Sequence, residues 1–230
     1  MKRFLRKPGL LQTILLSALV LILTACAVVG FYLVPKWEEG YDPAKFVNYQ
    51  QSLILKDKYG NDLSYLYGFE NRIEISIETL PEFVKQAFVA AEDARFYSHI
   101  GIDPQRIAGA VIEDIRSGGY SQGASTITMQ LIKNSHLTSE KVMSRKMQEA
   151  WLAIKTESLF TKDEILEMYL NFIYFGNGAY GIEAAANAYF NKHAKDLNLS
   201  EAMLLAAVIK SPSKYAPHIN IEAAKTRRDL

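Results

Sequence analysis

An uncharged apolar run at residues 10–34 constrains this chain of 230 residues more than any other feature of its sequence. The run has 25 residues, of which 20 are apolar and none is Asp, Glu, Lys or Arg. At a helical rise of ~1.5 Å per residue it extends over ~37 Å, and the hydrocarbon core of a bilayer is ~30 Å thick. The run therefore predicts one N-terminal transmembrane helix.

The flanks of the run predict its orientation. Lys2, Arg3, Arg6 and Lys7 precede it, and basic residues favour the cytoplasmic side of a membrane. Trp37, just past the run, is typical of a side chain at the membrane interface. We expect a single pass, with the N-terminus in the cytoplasm and the bulk of the chain outside it.

Two alternatives to an uncleaved helix stay open. A cleaved signal peptide would have a shorter apolar core and a small-residue cleavage site. A lipoprotein signal would modify Cys26, the only cysteine, at the end of the lipobox-like Leu-Thr-Ala-Cys of residues 23–26. The apolar run continues to Val34, where lipoproteins usually turn polar, and this favours the uncleaved helix.

The charge of the chain excludes one class of function. With 26 basic and 25 acidic residues the net charge is +1, whereas a nucleic-acid binder usually has a clear basic excess. Four of the basic residues lie in the first nine positions, so the rest of the chain holds 22 basic residues against 25 acidic ones. About 195 residues follow the apolar run, enough for one sizeable core. A single cysteine leaves that core without an internal disulfide.

Periodicity predicts a mainly α domain with a small β element. Residues 52–57 and 72–77 alternate between apolar and polar side chains, as strands do, with a turn-rich segment at 58–62 between them. Further along the chain the apolar period becomes helical, and Ser125 and Ser200 are the expected N-caps of two helices. The predicted helices cover 80–91, 103–116, 125–134, 138–159, 162–174, 182–190 and 200–210.

Several familiar motifs are excluded by their context. Residues 176–181 match the glycine fingerprint of dinucleotide sites, but they follow a helical pattern instead of a strand, so we interpret them as a helix C-cap and loop. Ser-Pro-Ser-Lys at 211–214 lacks the companion motifs of an acyl-enzyme site. The four histidines show no zinc-type spacing, and no phosphate-loop signature occurs.

Glu92 is the first candidate for acid–base chemistry. On a helix it shares one face with Val84, Phe88 and Phe96. An acid between two phenylalanines is poorly solvated, and desolvation disfavours the charged form of a carboxyl group, which suits a general base. The alternative is a partly exposed acid at a helix end, paired with Arg95.

A second acid, Glu149, lies among basic residues. Lys and Arg side chains stabilise phosphate charge, so such a cluster is a candidate clamp for a polyanion. The alternative is a solvated helix face held by salt bridges. The basic residues on its helix face or nearby in sequence are Lys133, Lys141, Arg145 and Lys146.

Between the two acids, residues 123–130 form a glycine turn that opens a predicted helix. Such a turn leaves N–H groups unbonded at the helix start, here beside the hydroxyls of Ser125 and Thr126, and helix starts of this kind accept phosphate. The alternative is an ordinary serine cap.

Five motifs occur in order along residues 52–230. They are Glu-Asp-Ala-Arg-Phe-Tyr-Ser-His-Ile-Gly at 92–101, Gly-Ala-Ser-Thr-Ile-Thr-Met-Gln at 123–130, Arg-Lys-Met-Gln-Glu at 145–149, the segment 162–176 with Tyr-Leu-Asn at 169–171, and Ala-Tyr-Phe-Asn-Lys at 188–192. Together they resemble the peptidoglycan glycosyltransferases of glycosyltransferase family 51, which include the polymerase domains of class A penicillin-binding proteins.

The resemblance implies a lysozyme-like α-helical domain that polymerises lipid II outside the bacterial cell membrane. The implied donor is the growing glycan strand on undecaprenyl diphosphate. The 4-hydroxyl of the incoming lipid II attacks the anomeric carbon of the donor, inverts it to a β-1,4 link and releases the diphosphate. The implied partners are lipid II, the glycan strand, the membrane and other cell-wall synthesis proteins.

The resemblance also implies roles for individual residues. Glu92 is the general base, and Glu149 is a second essential acid that supports the donor diphosphate or a divalent cation, Mg or Mn. No cofactor beyond such a cation is implied. The implied substrate-binding residues are Asp93, Ser125, Thr126, Gln130, Lys133, Arg145 and Lys146.

Two positions depart from the family pattern. Met129 stands where the family usually has the first of two glutamines, and a methionine has no amide to make that residue's donor-site hydrogen bond. Lys141 occupies a position that is Arg in some relatives, and a lysine lacks the bidentate fork of a guanidinium group. Neither departure removes one of the two acids.

Two alternatives to a glycan polymerase remain. A muramidase or lytic transglycosylase shares the implied fold and also uses a poised acid, but its substrate carries no diphosphate for the basic cluster to bind. An inactive scaffold in a cell-wall complex is the non-enzymatic alternative.

The N-terminal segment of the predicted domain and the chain's last residues suggest a longer protein. Residues 56–77 look like the entry to a class A domain, and the helical pattern at 222–230 has no cap. We expect the N-terminal part of a bifunctional protein with a C-terminal transpeptidase domain. The predicted parts are a cytoplasmic tail at 1–9, the transmembrane helix at 10–34, a stalk at 35–51 and the glycosyltransferase domain at 52–230.

Overall fold

The computed structural model describes residues 10–48, 52–60, 62–66, 70–117, 123–137 and 143–229. Lys141 of the predicted clamp lies outside these residues. The chain divides into two compact units, the first ending at Tyr41 and the second beginning at Asp42. The domain boundaries drawn from the sequence stay predictions.

The first unit is helical over its described length. Helix α1 spans Leu10–Val28, a π-helical segment covers Val29–Leu33, and α2 spans Val34–Glu39 with a proline in its first turn, where a missing N–H costs little. Within the described part of the chain, no helix has the length and apolar character needed to cross a membrane. The transmembrane helix at 10–34 therefore stays a prediction.

Helices dominate the second unit and are accompanied by small sheets, which confirms the mainly α fold class. Short 3₁₀ turns join several of the helices. The helices are α3 Glu82–Glu92, α4 Pro104–Ser117, α5 Ile127–His136, α6 Met143–Leu159, α7 Lys162–Phe172, α8 Ile182–Phe190, α9 Leu199–Ile209, α10 Pro212–Tyr215 and α11 Ile221–Arg228.

The core of this unit forms around two helices. In α9, Ala202, Leu205 and Val208 are fully buried, and the helix packs against α3, α8 and α11. In α5, Ile127 and Ile132 are fully buried where the helix packs against α6 and α7. A helix that is apolar around most of its circumference, as α9 is, needs neighbours on several sides, which explains why α9 lies in the centre of this unit.

Two helix starts differ from the predicted ones. The N-cap of α5 is Thr126, whose Oγ1 accepts a hydrogen bond from the Met129 N–H at 3.2 Å. The N-cap of α9 is Asn198, which forms a capping box with Glu201. The predicted caps Ser125 and Ser200 are therefore wrong by one and two positions. Ser, Thr and Asn side chains all cap well, so adjacent candidates are hard to separate by sequence.

The β element differs from the prediction in its second strand. Strands β1 (Leu53–Lys56) and β2 (Asp62–Leu66) form an antiparallel hairpin across the predicted turn. Strand β3 (Asn71–Arg72) instead pairs in parallel with β5 (Ala179–Tyr180), which is antiparallel to β4 (Tyr174–Gly176). The predicted strand at 72–77 is wrong beyond its first residue.

The side chains of α7 explain why that strand ends so early. Asn171 accepts from the Ile75 N–H through Oδ1 at 3.0 Å and donates to the Ile75 carbonyl through Nδ2 at 2.8 Å. Glu167 accepts from the Ile77 N–H at 2.7 Å. These side chains provide the hydrogen bonds that a neighbouring strand would otherwise make, so the backbone is satisfied without a ladder.

The segment 176–181, interpreted from sequence as a C-cap and loop, contains the turn between β4 and β5. Asn177 and Gly178 both have positive φ, at 52° and 71°. Asn-Gly favours this left-handed pair in two-residue hairpin turns. The C-cap interpretation is wrong, and the Asn-Gly pair was a signal for the hairpin.

Gly101 gives a test of how tightly the loop after α3 is held. Its φ is 94°, and an added Cβ would lie 2.7 Å from the backbone carbonyl of Ala153 in α6. We expect Gly101→Ala to lower the free energy of unfolding by about 2 kcal/mol or more, because left-handed strain of about 1–3 kcal/mol is joined by a backbone clash. Urea denaturation followed by circular dichroism measures the change.

Gly109 provides the matched control for this substitution. It lies inside α4, and a Cβ there would meet nothing within 4 Å. Gly109→Ala should stabilise the protein by about 0.5–1 kcal/mol, because alanine is the better helix former. Equal stability of Gly101→Ala and the unchanged protein would contradict the tight contact with α6.

Candidate active site

Residues far apart in sequence line one open cleft in the second unit, with a volume of about 370 Å³. The cleft lies where α3 ends, beside α5 and α6. It brings together seven of the nine predicted site residues: Glu92, Ser125, Gln130, Lys133, Arg145, Lys146 and Glu149. Asp93 and Thr126 lie behind its wall.

Glu92 is the last residue of α3 and is held at the cleft by its own helix. Its predicted neighbours Val84 and Phe88 are fully buried, and Glu92 itself is 9% exposed. Its Oε2 accepts a hydrogen bond from Nε2 of Gln130 at 2.8 Å. Arg95 does not bind Glu92 but pairs with Asp103. The alternative of a partly exposed acid paired with Arg95 is therefore wrong.

Glu149 is a buried carboxylate between two cations. It is 0% exposed, although it lies on the helix face predicted to be basic. Its Oε1 accepts from Nε of Arg145 at 3.0 Å, and its Oε2 accepts from Nζ of Lys146 at 2.5 Å. Lys146 also donates to Oγ of Ser125 at 2.6 Å. Of the alternative, a solvated and salt-bridged face, the salt bridges are present, but the acid is fully enclosed instead of solvated.

The start of α5 is bonded within the protein. The Ile127 N–H donates to Oδ2 of Asp93 at 3.0 Å, and the Met129 N–H donates to Thr126. The Thr126 hydroxyl donates to the Gly101 carbonyl at 2.6 Å. These two N–H groups are thus not presented to a ligand, and Ser125 is the member of the predicted hydroxyl pair that lines the cleft.

Asp93 is 1% exposed and binds His99 as well as the start of α5. Nδ1 of His99 accepts from the Gly101 N–H at 3.2 Å, so Nε2 carries the proton and donates to Asp93 at 2.9 Å. These contacts give Asp93 and Thr126 structural roles. Their predicted roles in substrate binding stay predictions.

Amino-acid composition and hydrophobic periodicity did not point to three residues at or next to the cleft. Arg106 in α4 lines the cleft, and its Nη1 donates to the Glu92 carbonyl at 2.6 Å. Lys210 reaches the cleft from the end of α9. Neither has a sequence signal, because basic residues are ordinary on helix surfaces.

Tyr169, the third missed residue, lies behind Gln130. Its side chain is fully buried, and its hydroxyl donates to Oε1 of Gln130 at 3.2 Å. Burial, and then the carboxylates of Glu92 and Asp93, raise the pKa of Tyr169 well above its usual value. Its place in the Tyr-Leu-Asn of the fourth motif was the signal.

The side chains that the structure describes at the cleft do not form a divalent-cation site by themselves. Hard cations such as Mg²⁺ take several oxygen ligands, and both carboxylate oxygens of Glu149 already accept from Arg145 and Lys146. Among the residues that the structure describes, no three His, Cys, Asp or Glu side chains are grouped to hold a metal ion.

Comparison with known proteins identifies the family of this chain. A family model described as transglycosylase matches residues 60–230. The chain belongs to the transglycosylase family. This membership confirms the resemblance seen in the five motifs, because the match includes all of them.

Relatives of this transglycosylase chain are penicillin-binding proteins. Penicillin-binding protein 1F of Bacillus subtilis (strain 168) is 44% identical over 220 residues, which is 95% of this chain and 30% of the relative. Penicillin-binding protein 1A of Aquifex aeolicus (strain VF5) is 53% identical over 163 residues, 71% of this chain and 22% of the relative. The chain thus spans less than a third of the length of these curated relatives. A crystal structure of penicillin-binding protein 1A from Haemophilus influenzae matches 80% of this chain and 18% of its own, with 22% identity and a TM-score of 0.40.

The pair of Arg95 and Asp103 beside the cleft predicts how stability depends on pH. Burial acts to raise the pKa of Asp103, but hydrogen bonds from the Arg106 N–H and the Arg95 guanidinium outweigh it, so the pKa is lowered. A lowered folded pKa contributes stability above the ordinary aspartate pKa, and that stability is lost as the pH falls through the folded value.

We therefore expect Asp103→Asn to destabilise the protein most near neutral pH, with a difference from the unchanged protein that shrinks below about pH 4. Urea denaturation at a series of pH values measures this difference. A difference that stayed constant down to about pH 2 would show that the carboxylate charge contributes nothing.

Proposed function

We propose that the chain is a peptidoglycan glycosyltransferase that polymerises lipid II into β-1,4-linked glycan strands, with inversion and release of undecaprenyl diphosphate. Membership of the transglycosylase family supports this class of reaction. The observation that carries the proposal is the cleft itself, where one buried acid faces a separate cluster of cations. A base for the acceptor and positive charge for the leaving group are what the reaction requires.

Glu92 acts as the general base in this proposal. It takes the proton of the 4-hydroxyl of lipid II as that oxygen attacks the anomeric carbon of the donor strand. Its place at the cleft and the hydrogen bond from Gln130 support this role, because a donor to a carboxylate favours the ionised form, which can accept a proton.

The cations of the cleft hold the donor diphosphate and neutralise the charge that develops as it leaves. Lys133, Arg145 and Lys146 line the cleft, and Ser125 adds a hydroxyl beside Lys146. Diphosphate is a good leaving group, so it needs charge stabilisation more than protonation. Glu149 holds Arg145 and Lys146 in place from the same helix.

The apolar run near the N-terminus bears on how the protein meets a lipid-tailed substrate. We propose that the apolar run at 10–34 anchors the protein in the bacterial cell membrane with a single pass, which keeps the site outside the cell and close to lipid II. The parent protein carries a C-terminal transpeptidase domain in this proposal, as suggested by relatives that are more than three times as long as the matched region.

A polymerisation assay with lipid II tests the proposal. We expect the unchanged protein to form glycan strands, and Glu92→Gln to lower turnover by at least about 10²-fold, because the amide cannot take up the proton. Glu149→Gln should also lower turnover strongly, since Arg145 and Lys146 lose the carboxylate that positions them. Parallel reactions with Mg²⁺, Mn²⁺ or EDTA show whether a cation joins the diphosphate.

Glu222→Gln is the matched control, because Glu222 is an exposed acid in α11 that contacts Lys225. Its turnover should equal that of the unchanged protein. Finished peptidoglycan is offered in a second reaction. Digestion of that polymer, without polymerisation of lipid II, would replace the proposal with a muramidase or lytic transglycosylase.

A further inference from the structure

We propose that Tyr169 is a positioning residue that, through Gln130, holds the carboxyl group of Glu92 in its ionised, proton-accepting form. The inference rests on the proposed role of Glu92 as general base. It assigns to a fully buried tyrosine, which does not line the cleft, an effect on the reaction at the cleft wall.

Three helices supply the three residues of this hydrogen-bonded chain. The hydroxyl of Tyr169 in α7 donates to Oε1 of Gln130 in α5 at 3.2 Å. Nε2 of Gln130 then donates to Oε2 of Glu92, the last residue of α3, at 2.8 Å. Because α5 packs against α7 in the core, this series of hydrogen bonds leads from the interior of the protein to the cleft.

The direction of these bonds follows from what each group can donate. An ionised carboxylate only accepts, so Gln130 must present its NH₂ group to Glu92 and its oxygen to Tyr169. If the amide turned over, the buried hydroxyl hydrogen of Tyr169 would lose the acceptor that the structure gives it, and an unsatisfied buried donor is costly. Tyr169 therefore favours the amide orientation that suits an ionised Glu92.

Tyr169 remains a donor throughout the working pH range. Burial, together with the nearby carboxylates of Glu92 and Asp93, raises its pKa well above the usual value, so the hydroxyl keeps its proton. Tyr169 is fully buried on a helix that packs against α5, and close packing leaves little room for the hydroxyl to move away.

Other groups also act on the charge of Glu92, and they set the background for the test. Asp93 lies next to it in sequence, behind the cleft wall. These groups are unchanged in a Tyr169→Phe variant, so a difference between the two proteins reports the hydroxyl alone. The charged side chains that share the cleft with Glu92 are Arg106, Lys133, Arg145, Lys146, Glu149 and Lys210, and Tyr174 is a further titratable group there.

The first experiment compares lipid II polymerisation by the full chain and by Tyr169→Phe over a range of pH. We expect kcat/KM on the acidic side of its optimum to fall by up to about 10-fold, with KM at the optimum changed less than about 2-fold, because substrate binding is untouched while less of the base is ionised at a given acidic pH. The acidic limb of kcat/KM should move to higher pH by about 0.5–1 unit, because the ionised carboxyl group loses an oriented donor.

Tyr189→Phe is the matched control. The hydroxyl of Tyr189, which is partly buried, donates to the Phe175 carbonyl at 2.9 Å. Like Tyr169→Phe, this variant loses one tyrosine hydrogen bond, but the bond is not part of the contacts with Glu92. The acidic limb should stay where it is in the unchanged protein. An equal shift in both tyrosine variants would show that a general loss of stability moves the limb, and would overturn the inference.

A third variant tests whether Tyr169 acts through Gln130. Gln130→Met removes the amide and should move the acidic limb in the same direction as Tyr169→Phe. Adding Tyr169→Phe to Gln130→Met should then produce no further shift, since the hydroxyl has lost the group through which it acts. Additive shifts in the double variant would contradict the chain of three residues.

A spectroscopic measurement separates this inference from the proposed function. The ¹³C signal of the Glu92 side-chain carboxyl, assigned by its loss in Glu92→Gln, is followed against pH in the full chain and in Tyr169→Phe. Its ionisation step should move to higher pH in the variant. Coincident steps would overturn the role of Tyr169 even if lipid II is polymerised, whereas an unchanged protein that makes no polymer would overturn the proposed function alone.

Discussion

The geometry of the site depends on the buried carboxylate of Asp93. It accepts from His99 at 2.9 Å and from the Ile127 N–H at 3.0 Å, and so ties the end of α3 to the start of α5. Glu92 precedes Asp93 in the chain, and Gln130 lies one turn into α5. The junction that Asp93 holds therefore also sets the distance between Glu92 and its donor. Asp93 thus adds a buried polar contact between the two helices to the one that Gln130 makes with Glu92.

Buried charges are costly to desolvate, and the two acids behind and within the cleft show how the protein meets that cost. Glu149 is enclosed with Arg145 and Lys146, which come from the preceding turn of the same helix. Replacing such a group by apolar side chains is often neutral or stabilising, so its presence is weak evidence for a contribution to stability. The arrangement is better explained by its effect on Arg145 and Lys146, since Glu149 fixes the position of both cations at the cleft.

Sequence predicted the helices well because each carries its apolar stripe locally, as α3 does with Val84 and Phe88. It also placed Glu92 and Glu149 in unusual surroundings, since their neighbours lie one helical turn away. It could not predict what depends on distant partners. The strand after Arg72 ends because Asn171, 96 positions from Ile75, binds the backbone there. The contact between Tyr169 and Gln130 likewise joins positions 39 apart, and no local period encodes it.

The distribution of charge around the cleft has a consequence for how a substrate arrives. Five basic and two acidic side chains among the described residues line it, while the chain beyond its first nine positions holds fewer basic than acidic residues overall. A positive concavity in a negative body focuses field lines and attracts anions to one place on the surface. For the function proposed above, this field would draw in the diphosphate end of lipid II before its sugars make contact. Capture of this kind orients a long, flexible substrate during diffusion and weakens as salt screens the field.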